Sequence, residues 1–478
     1  MIVKKRELVN PKPVNSQTSP LYTASMDLGI ASFVRGWIAK QKKPPLRLIE
    51  RLLLLIFLFS RFCLFVITFG RPAGFDTGAH LEMLQKLTWG HPDLPIRETF
   101  YSYHPPMGFL LARSFHLLGL SPEVSIQIVS ALFGLATFFL LRQTLQYLKI
   151  LHRPASIVFL YVAASVPLQI FIVSGMNLES ILLACAAAVL YCGIRLFWGT
   201  DPLTKNVKKH PWRCAACGVL AISILAFALL TKFSGILLLT IPPLVAALSP
   251  LDRRWWKAVL ISIALSFFAG AISFPYYYVR YYVTEGTFFP NNGDWIVTDA
   301  FKEARKKRDE NPVRFFTNFF DAAPVHREKG ILHRDYDVLR FADTWRDLWL
   351  KDQFLGPTNG AAKGAGILYL WVFPMLILAG LPTFLLELKW HSVWTRLGIV
   401  LFTFGLLQFA AFLWYLYSEP FAGWGPAKGL YVAPLIWAIA FLAGALFGEG
   451  KLPPWRRWAL FTLLAVFVFF NHTAPAYA

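Results

Sequence analysis

An aspartate and a histidine four residues apart open the first polar stretch of this chain, in Gly74-Phe75-Asp76-Thr77-Gly78-Ala79-His80. On a helix that spacing places both side chains on one face. A carboxylate near a bound hydroxyl serves as a general base. Asp76 with His80 could hold a divalent metal ion, although two candidate ligands do not define a site. The stretch runs on to Tyr101-Ser102-Tyr103-His104-Pro105-Pro106. Further along, ionisable residues stand at the ends of apolar runs: Glu179 after Ser174-Gly175-Met176-Asn177, Lys232 in Thr231-Lys232-Phe233-Ser234-Gly235, Arg280 after Tyr276-Tyr277-Tyr278, and Lys428 ahead of Tyr431. Lysine and arginine beside such a carboxylate can hold a phosphate leaving group. Ionisable groups at membrane depth cost about 2.5–3.5 kcal/mol each. Taken singly, each of these residues also reads as an interfacial anchor, because long charged side chains snorkel to water. Their gathering toward one side is what sets them apart.

The elements that must position them are apolar helices. Of 478 residues, 56% are hydrophobic and only 15% charged, against about 25% charged in soluble chains. Runs of roughly 20 apolar residues match the ~30 Å hydrocarbon core of a bilayer. About eleven spans are predicted, at 48–69, 123–146, 155–174, 178–198, 214–231, 235–250, 257–279, 365–387, 395–416, 429–447 and 456–471. The fold class is therefore an all-α polytopic membrane protein. The net charge of +20 points to topology rather than to nucleic acid, since no basic groove with interleaved aromatics lies outside the spans. Arg142, Lys149 and Arg153, then Lys205, Lys208, Lys209 and Arg213, then Arg253, Arg254 and Lys257 occupy alternate short loops on the side of the basic N-terminus. That side is predicted to be cytoplasmic, and every chemistry-bearing residue above falls on the other.

Four regions follow. Residues 1–47 form a cytoplasmic tail with an interfacial helix near 21–41 and no signal-peptide pattern. Residues 48–279 form a transmembrane module that includes a large outer loop at 71–122. Residues 280–364 form a long outer loop after span seven, with helical stretches at 298–310 and 335–354, read either as a lid or as a peripheral structural segment. Residues 365–478 return to transmembrane helices. The five cysteines include Cys214 and Cys217 as C-x-x-C, which lacks a second ligand pair and reads as small apolar residues packed in a helix. Asn471-His472-Thr473 reads as a chance sequon against the membrane.

The order of these motifs resembles the membrane-embedded glycosyltransferases of the GT-C fold, particularly the dolichyl-phosphate-mannose protein mannosyltransferase and aminoarabinose transferase group (glycosyltransferase family 39-like). Asp76-Thr77-Gly78-Ala79-His80 looks like that group's acidic motif after the first span. His104-Pro105-Pro106-Met107-Gly108, running to Leu118-Gly119-Leu120-Ser121-Pro122-Glu123, looks like its Pro-Pro element and helix. Asn177-Leu178-Glu179-Ser180, Leu230-Thr231-Lys232-Phe233-Ser234-Gly235, Phe274-Pro275-Tyr276-Tyr277-Tyr278 and Gly286-Thr287-Phe288-Phe289-Pro290-Asn291-Asn292 are similar to later elements. The resemblance covers most of 48–295. It implies a sugar donor on a polyprenyl monophosphate, an acceptor lipid, glycan or protein, and inversion at the anomeric carbon. It also implies Asp76 as catalytic carboxylate, a base for a hydroxyl or a ligand for metal or acceptor when the acceptor is a phosphate. His80 and Glu179 are the supporting catalytic candidates; His104, Asn177, Lys232, Tyr278, Arg280 and Lys428 are the substrate-binding ones. Many relatives carry a second acid directly after the first, where this chain has Thr77. No cofactor is required beyond the divalent ion that Asp76 and His80 could hold.

A transporter or flippase of lipid-linked sugars is the first rival, and should place charges or broken helices near mid-membrane. An O-antigen ligase or polymerase is the second, and a non-catalytic scaffold the third. The expected location is a bacterial inner membrane, multi-pass, with the site on the outer face.

Overall fold

The computed structural model describes residues 46–70, 77–88, 90, 93–99, 102–174, 178–198, 211–249, 255–288, 306, 309–310, 325–328, 331–334, 360–386, 392–418, 433–448 and 452–473. All of them belong to one compact unit, Pro45–Ala478. The N-terminal tail and most of the 280–364 loop lie outside these residues; the predicted helix at 335–354 lies outside them entirely, and the one at 298–310 is described only at 306, 309 and 310, which are helical.

The helices follow the apolar runs. They are α1 (Leu46–Thr68), α2 (Thr77–Lys86), α3 (Met107–Leu117), α4 (Pro122–Tyr147), α5 (Pro154–Ser165), α6 (Pro167–Ser174), α7 (Glu179–Phe197) and α8 (Pro211–Leu229). A 3₁₀ helix, Phe233–Thr240, leads into α9 (Ile241–Ala247), and α10 (Trp255–Tyr277) continues into a π-helical turn, Tyr278–Tyr282. After a short antiparallel hairpin, β1 (Val325–Glu328) and β2 (Ile331–Arg334), come α11 (Gly360–Leu386), α12 (Val393–Ser418), α13 (Leu435–Ala445) and α14 (Pro454–Thr473). The chain is a polytopic helical membrane protein. Among the described residues, five helical segments are long and apolar enough to cross a bilayer by themselves: Leu46–Thr68, Pro122–Tyr147, Glu179–Phe197, Trp255–Glu285 and Val393–Tyr415. The other predicted runs contain shorter apolar helices or, at the C-terminal end, α14.

Two predicted spans are interrupted, and proline is the reason. The run at 155–174 breaks at Val166, which is extended (ψ 139°) because the following Pro167 disfavours helical backbone before it. The run at 235–250 begins as 3₁₀ helix and turns α-helical only at Ile241, just ahead of Pro242 and Pro243. In α10, Pro275 removes an N–H from the ladder and the π turn follows directly, a register change of the kind that often marks functional sites.

Packing separates core helices from lipid-facing ones. All twelve residues of α5 are buried, as is nearly all of α13, and the two pack against each other; a helix apolar all round belongs inside. Gly444 allows that approach, since a Cβ there would strike the Ala155 carbonyl, the small-residue contact that membrane helices use in place of a hydrophobic drive. Gly134 plays the same part between α4 and Val173 of α6. By contrast α1 exposes Leu55, Phe59, Phe62 and Val66, and α10 exposes Phe267, Phe268, Ile272 and Phe274. The α1 stripe repeats every three or four residues, and both sets face hydrocarbon. Asn471 is 4% exposed, within the bundle.

Candidate functional site

Three chain segments that the sequence singled out converge at one end of the helices. The first is the Pro-Pro element. The backbone N–H of Met107, at the start of α3, donates to the carbonyl of Leu230 (3.0 Å). The second is the start of α7, and the third the turn between α8 and the 3₁₀ helix. Gly108 lets them meet: a Cβ there would lie 2.8 Å from Thr231 Cγ2, 3.3 Å from Ile181 and 3.4 Å from Leu178. The sequence places a glycine where a loop helix must touch both neighbours.

At this junction Lys232 Nζ donates to Glu179 Oε1, and each side chain is 12% exposed. Glu179 sits in the first turn of α7, where the partial positive charge of the helix N-terminus also favours an anion. Lys232 is extended (φ −160°, ψ 147°) between two helices, so its position depends on the turn that Gly235 closes. A Cβ on Gly235 would strike the Ala228 carbonyl.

Two histidines border the pair. His104 is 7% exposed, with its ring 4.0 Å from that of Tyr103 and 5.7 Å from that of Phe233. His80, on α2, is 4% exposed, with its ring 5.6 Å from that of Phe109. Burial pushes the His104 imidazole well below its ordinary value, and the positive fields of Lys232 and His80 add to the shift. His104 is thus neutral at pH 7 and can bond a substrate hydroxyl without adding charge.

That shift has a consequence for stability. Above the ordinary histidine value, about 6.5, His104 is neutral both folded and unfolded. Below it the unfolded chain takes up a proton that the folded site refuses, so stability falls with acid, by at most about 1.4 kcal/mol per pH unit from this group. Melting of the detergent-solubilised protein between pH 7.5 and 5 should therefore show a downward acid limb. His104→Asn should flatten it; an unchanged slope would mean that His104 titrates normally.

Arg280 lies on a different contact. Its guanidinium bonds Asp93 Oδ2 and the carbonyls of Leu94 and Ser102, the last at 2.8 Å, and the Tyr276 hydroxyl donates to Asp93 Oδ1 (3.3 Å). Burial raises the Asp93 carboxyl, with Arg280 opposing that shift. Ile96, Leu229, Tyr277 and Tyr281 form a small apolar core beneath, with Phe233 packed on it. Arg280 is therefore occupied in pinning the 93–102 loop to the end of α10. Tyr278 is 43% exposed and stacks on Phe274 and Tyr282 in the outward-facing aromatic row. The structure thus brings Glu179, Lys232, His104 and His80 together and turns Arg280 and Tyr278 to other contacts. Asp76, Asn177 and Lys428 lie outside the described residues. Asp93 was not singled out by sequence; its place in the same loop as the acidic motif was the available signal. Among the described residues no group of three metal-ligating side chains assembles.

No protein-family model matches the chain, and no curated protein matches it. Among solved structures it is similar to ArnT from Cupriavidus metallidurans bound to undecaprenyl phosphate, at 14% identity and TM-score 0.37 over 83% of this chain and 76% of that one. It is also similar to the Archaeoglobus fulgidus oligosaccharyltransferase tethered with an acceptor peptide, at 13% identity and TM-score 0.44, over 89% of this chain and 55% of that one.

Proposed function

We propose that this protein is an inverting GT-C-type glycosyltransferase that moves a sugar from a polyprenyl-phosphate donor to an acceptor at the outer face of a bacterial inner membrane. The observation that carries the reading is the buried Lys232–Glu179 pair with neutral His104 beside it, built where three motif-bearing segments meet at helix ends. A phosphate leaving group needs fixed positive charge in a site shielded from water. Lys232 supplies it, and Glu179 holds that lysine in place until a phosphate shares it.

In the reaction, an acceptor hydroxyl attacks the anomeric carbon from the face opposite the phosphate. The new glycosidic C–O bond forms as the bond to phosphate breaks, and the polyprenyl phosphate leaves with the electron pair toward Lys232. Asp76, directly ahead of α2, takes the hydroxyl proton. Where the acceptor is itself a phosphate, Asp76 would instead serve as a ligand for a divalent ion or for the acceptor. His104 and His80 orient hydroxyls, and Asn177 and Lys428 complete the substrate contacts. A lipid, glycan or protein acceptor reaches the site from the aqueous side and the donor from the bilayer.

The test is transfer from radiolabelled polyprenyl-phosphate sugars to membrane extract, with wild type and Asp76→Asn at equal expression. Labelled product from wild type, reduced about a hundredfold or more in the variant, is the expected result for loss of a general base. Equal transfer from both removes Asp76 from the chemistry. Movement of the lipid-linked sugar without transfer would favour a flippase.

A further inference from the structure

A second polar feature lies on other helices and shares no residue with the site above. Arg61 stands within α1, seven residues before its Thr68 end, or roughly 10 Å along the axis at 1.5 Å per residue. An arginine at such depth is costly and by default functional. Its Nη2 donates to the Ala164 carbonyl (2.6 Å), at the proline break between α5 and α6, and its guanidinium carbon lies 5.2 Å from the centre of the Phe57 ring. Among the described residues, the other donors, Nε and Nη1, are buried and bond to nothing, and no carboxylate pairs with the charge. Ser60 Oγ, Ser165 Oγ and Gln169 Oε1, on α1 and either side of the break, are likewise buried without a hydrogen-bond partner.

Arg61 also lines a cavity of about 270 Å³ whose remaining wall is apolar, including Leu58, Phe65, Ile128 and Leu135. Phe62 and Leu132 at its rim are 65% and 51% exposed on the lipid-facing side. The volume falls just below the roughly 300–1,000 Å³ of sites that enclose a whole small molecule. It suits one end of a chain whose remainder stays in the bilayer.

We propose that this groove binds a long-chain monocarboxylic acid from the bilayer, its carboxylate on Arg61 and its first methylenes along the apolar wall. Charge decides that the occupant is an anion, because an unpaired buried cation is costly until it is paired. The rim decides that it arrives from the lipid. Depth decides for a carboxylic acid over a phosphate: a carboxylic acid in an apolar medium neutralises by keeping its proton, crosses to this level uncharged, and beside the arginine releases that proton to the aqueous phase, leaving a carboxylate paired with the guanidinium. A phosphate monoester, about −1.5 to −2 at pH 7, would have to be dragged below the headgroups with its charge.

The experiment is equilibrium binding of radiolabelled oleate to the full-length protein, delipidated in nonionic detergent, for wild type, Arg61→Gln and Leu132→Trp. Dioleoyl phosphatidate serves as competitor, and a melting curve checks each variant. One saturable site in wild type is expected, about 10- to 100-fold weaker in Arg61→Gln for loss of charge-assisted bonds. Leu132→Trp, which fills the groove and keeps the arginine, should weaken binding too and decides the matter if Arg61→Gln does not fold. Absence of a saturable site, or undiminished binding in both variants, overturns the proposal. So does displacement of oleate by an equimolar amount of phosphatidate, which would assign the groove to a phospholipid headgroup.

Discussion

Lys232→Met is expected to abolish most transfer and to destabilise the protein, and the two losses should separate in a double variant. The pair it forms with Glu179 is only 12% exposed on each side. Removing one member of such a pair leaves an uncompensated buried charge, at a cost of about 3–5 kcal/mol. The transition state loses the cation that meets the departing phosphate, a loss of about a hundred- to a thousandfold by comparison with other fixed electrostatic groups. Glu179→Gln together with Lys232→Met leaves two neutral groups of nearly the same volume, so the melting temperature should return close to wild type, since apolar replacement of a buried pair is often neutral or stabilising. Transfer should stay low, because the phosphate still meets no positive charge. A double variant that recovers both stability and transfer would make the pair a strut between α7 and the turn after α8 and nothing more.

That pair was half legible in the sequence. Glu179 and Lys232 each stood out as an ionisable group at the end of an apolar run, and length and composition placed the helices around them. The contact itself was hidden, because its members lie 53 residues apart and meet only through the packing of α7 on α8. The breaks at Pro167 and at Pro242-Pro243 follow from proline's missing N–H and its effect on the preceding residue, yet hydropathy alone ran through them. Pairings between residues far apart in the chain were out of reach. At the other end of the bundle Arg142 grips Glu50 with Nε and Nη2 (2.8 and 3.3 Å), and Tyr161 donates to the Glu50 carbonyl (3.0 Å). The sequence placed Arg142 in the loop after span two, whereas it lies within α4 (Pro122–Tyr147), and loop charge gave no sign of its buried carboxylate partner. Tyr278, one of the substrate-binding candidates, stacks beyond Pro275 in the exposed row with Phe274 and Tyr282.

Arg280 is where these two sources of information compete, and its replacement distinguishes them. The resemblance makes it a ligand of the donor phosphate; the structure spends its guanidinium on Asp93 and on two loop carbonyls. Arg280→Met should then leave Asp93 without its cation and the carbonyls of Leu94 and Ser102 without a donor, in a loop that carries His104 a few residues on. Such losses fall at about 3–5 kcal/mol for a broken, largely buried ion pair. A displaced loop misplaces His104 and α3 together, so kcat should fall for every donor tested, since misplacement of about 1 Å alone can cost a hundredfold. Arg280→Lys should rescue little, because a single ammonium does not reproduce a planar fork that reaches three acceptors. A phosphate ligand would behave differently: KM for the donor would rise while the melting temperature held, and lysine would restore much of the loss. Asp93→Asn supplies the complementary arm. With burial already raising that carboxyl, the amide keeps one oxygen to accept from Arg280, can donate its NH2 to the Tyr276 hydroxyl oxygen, and removes the charge. It should therefore cost less than Arg280→Met in both melting temperature and kcat, and an equal or larger loss would place the charge of Asp93 itself in the chemistry.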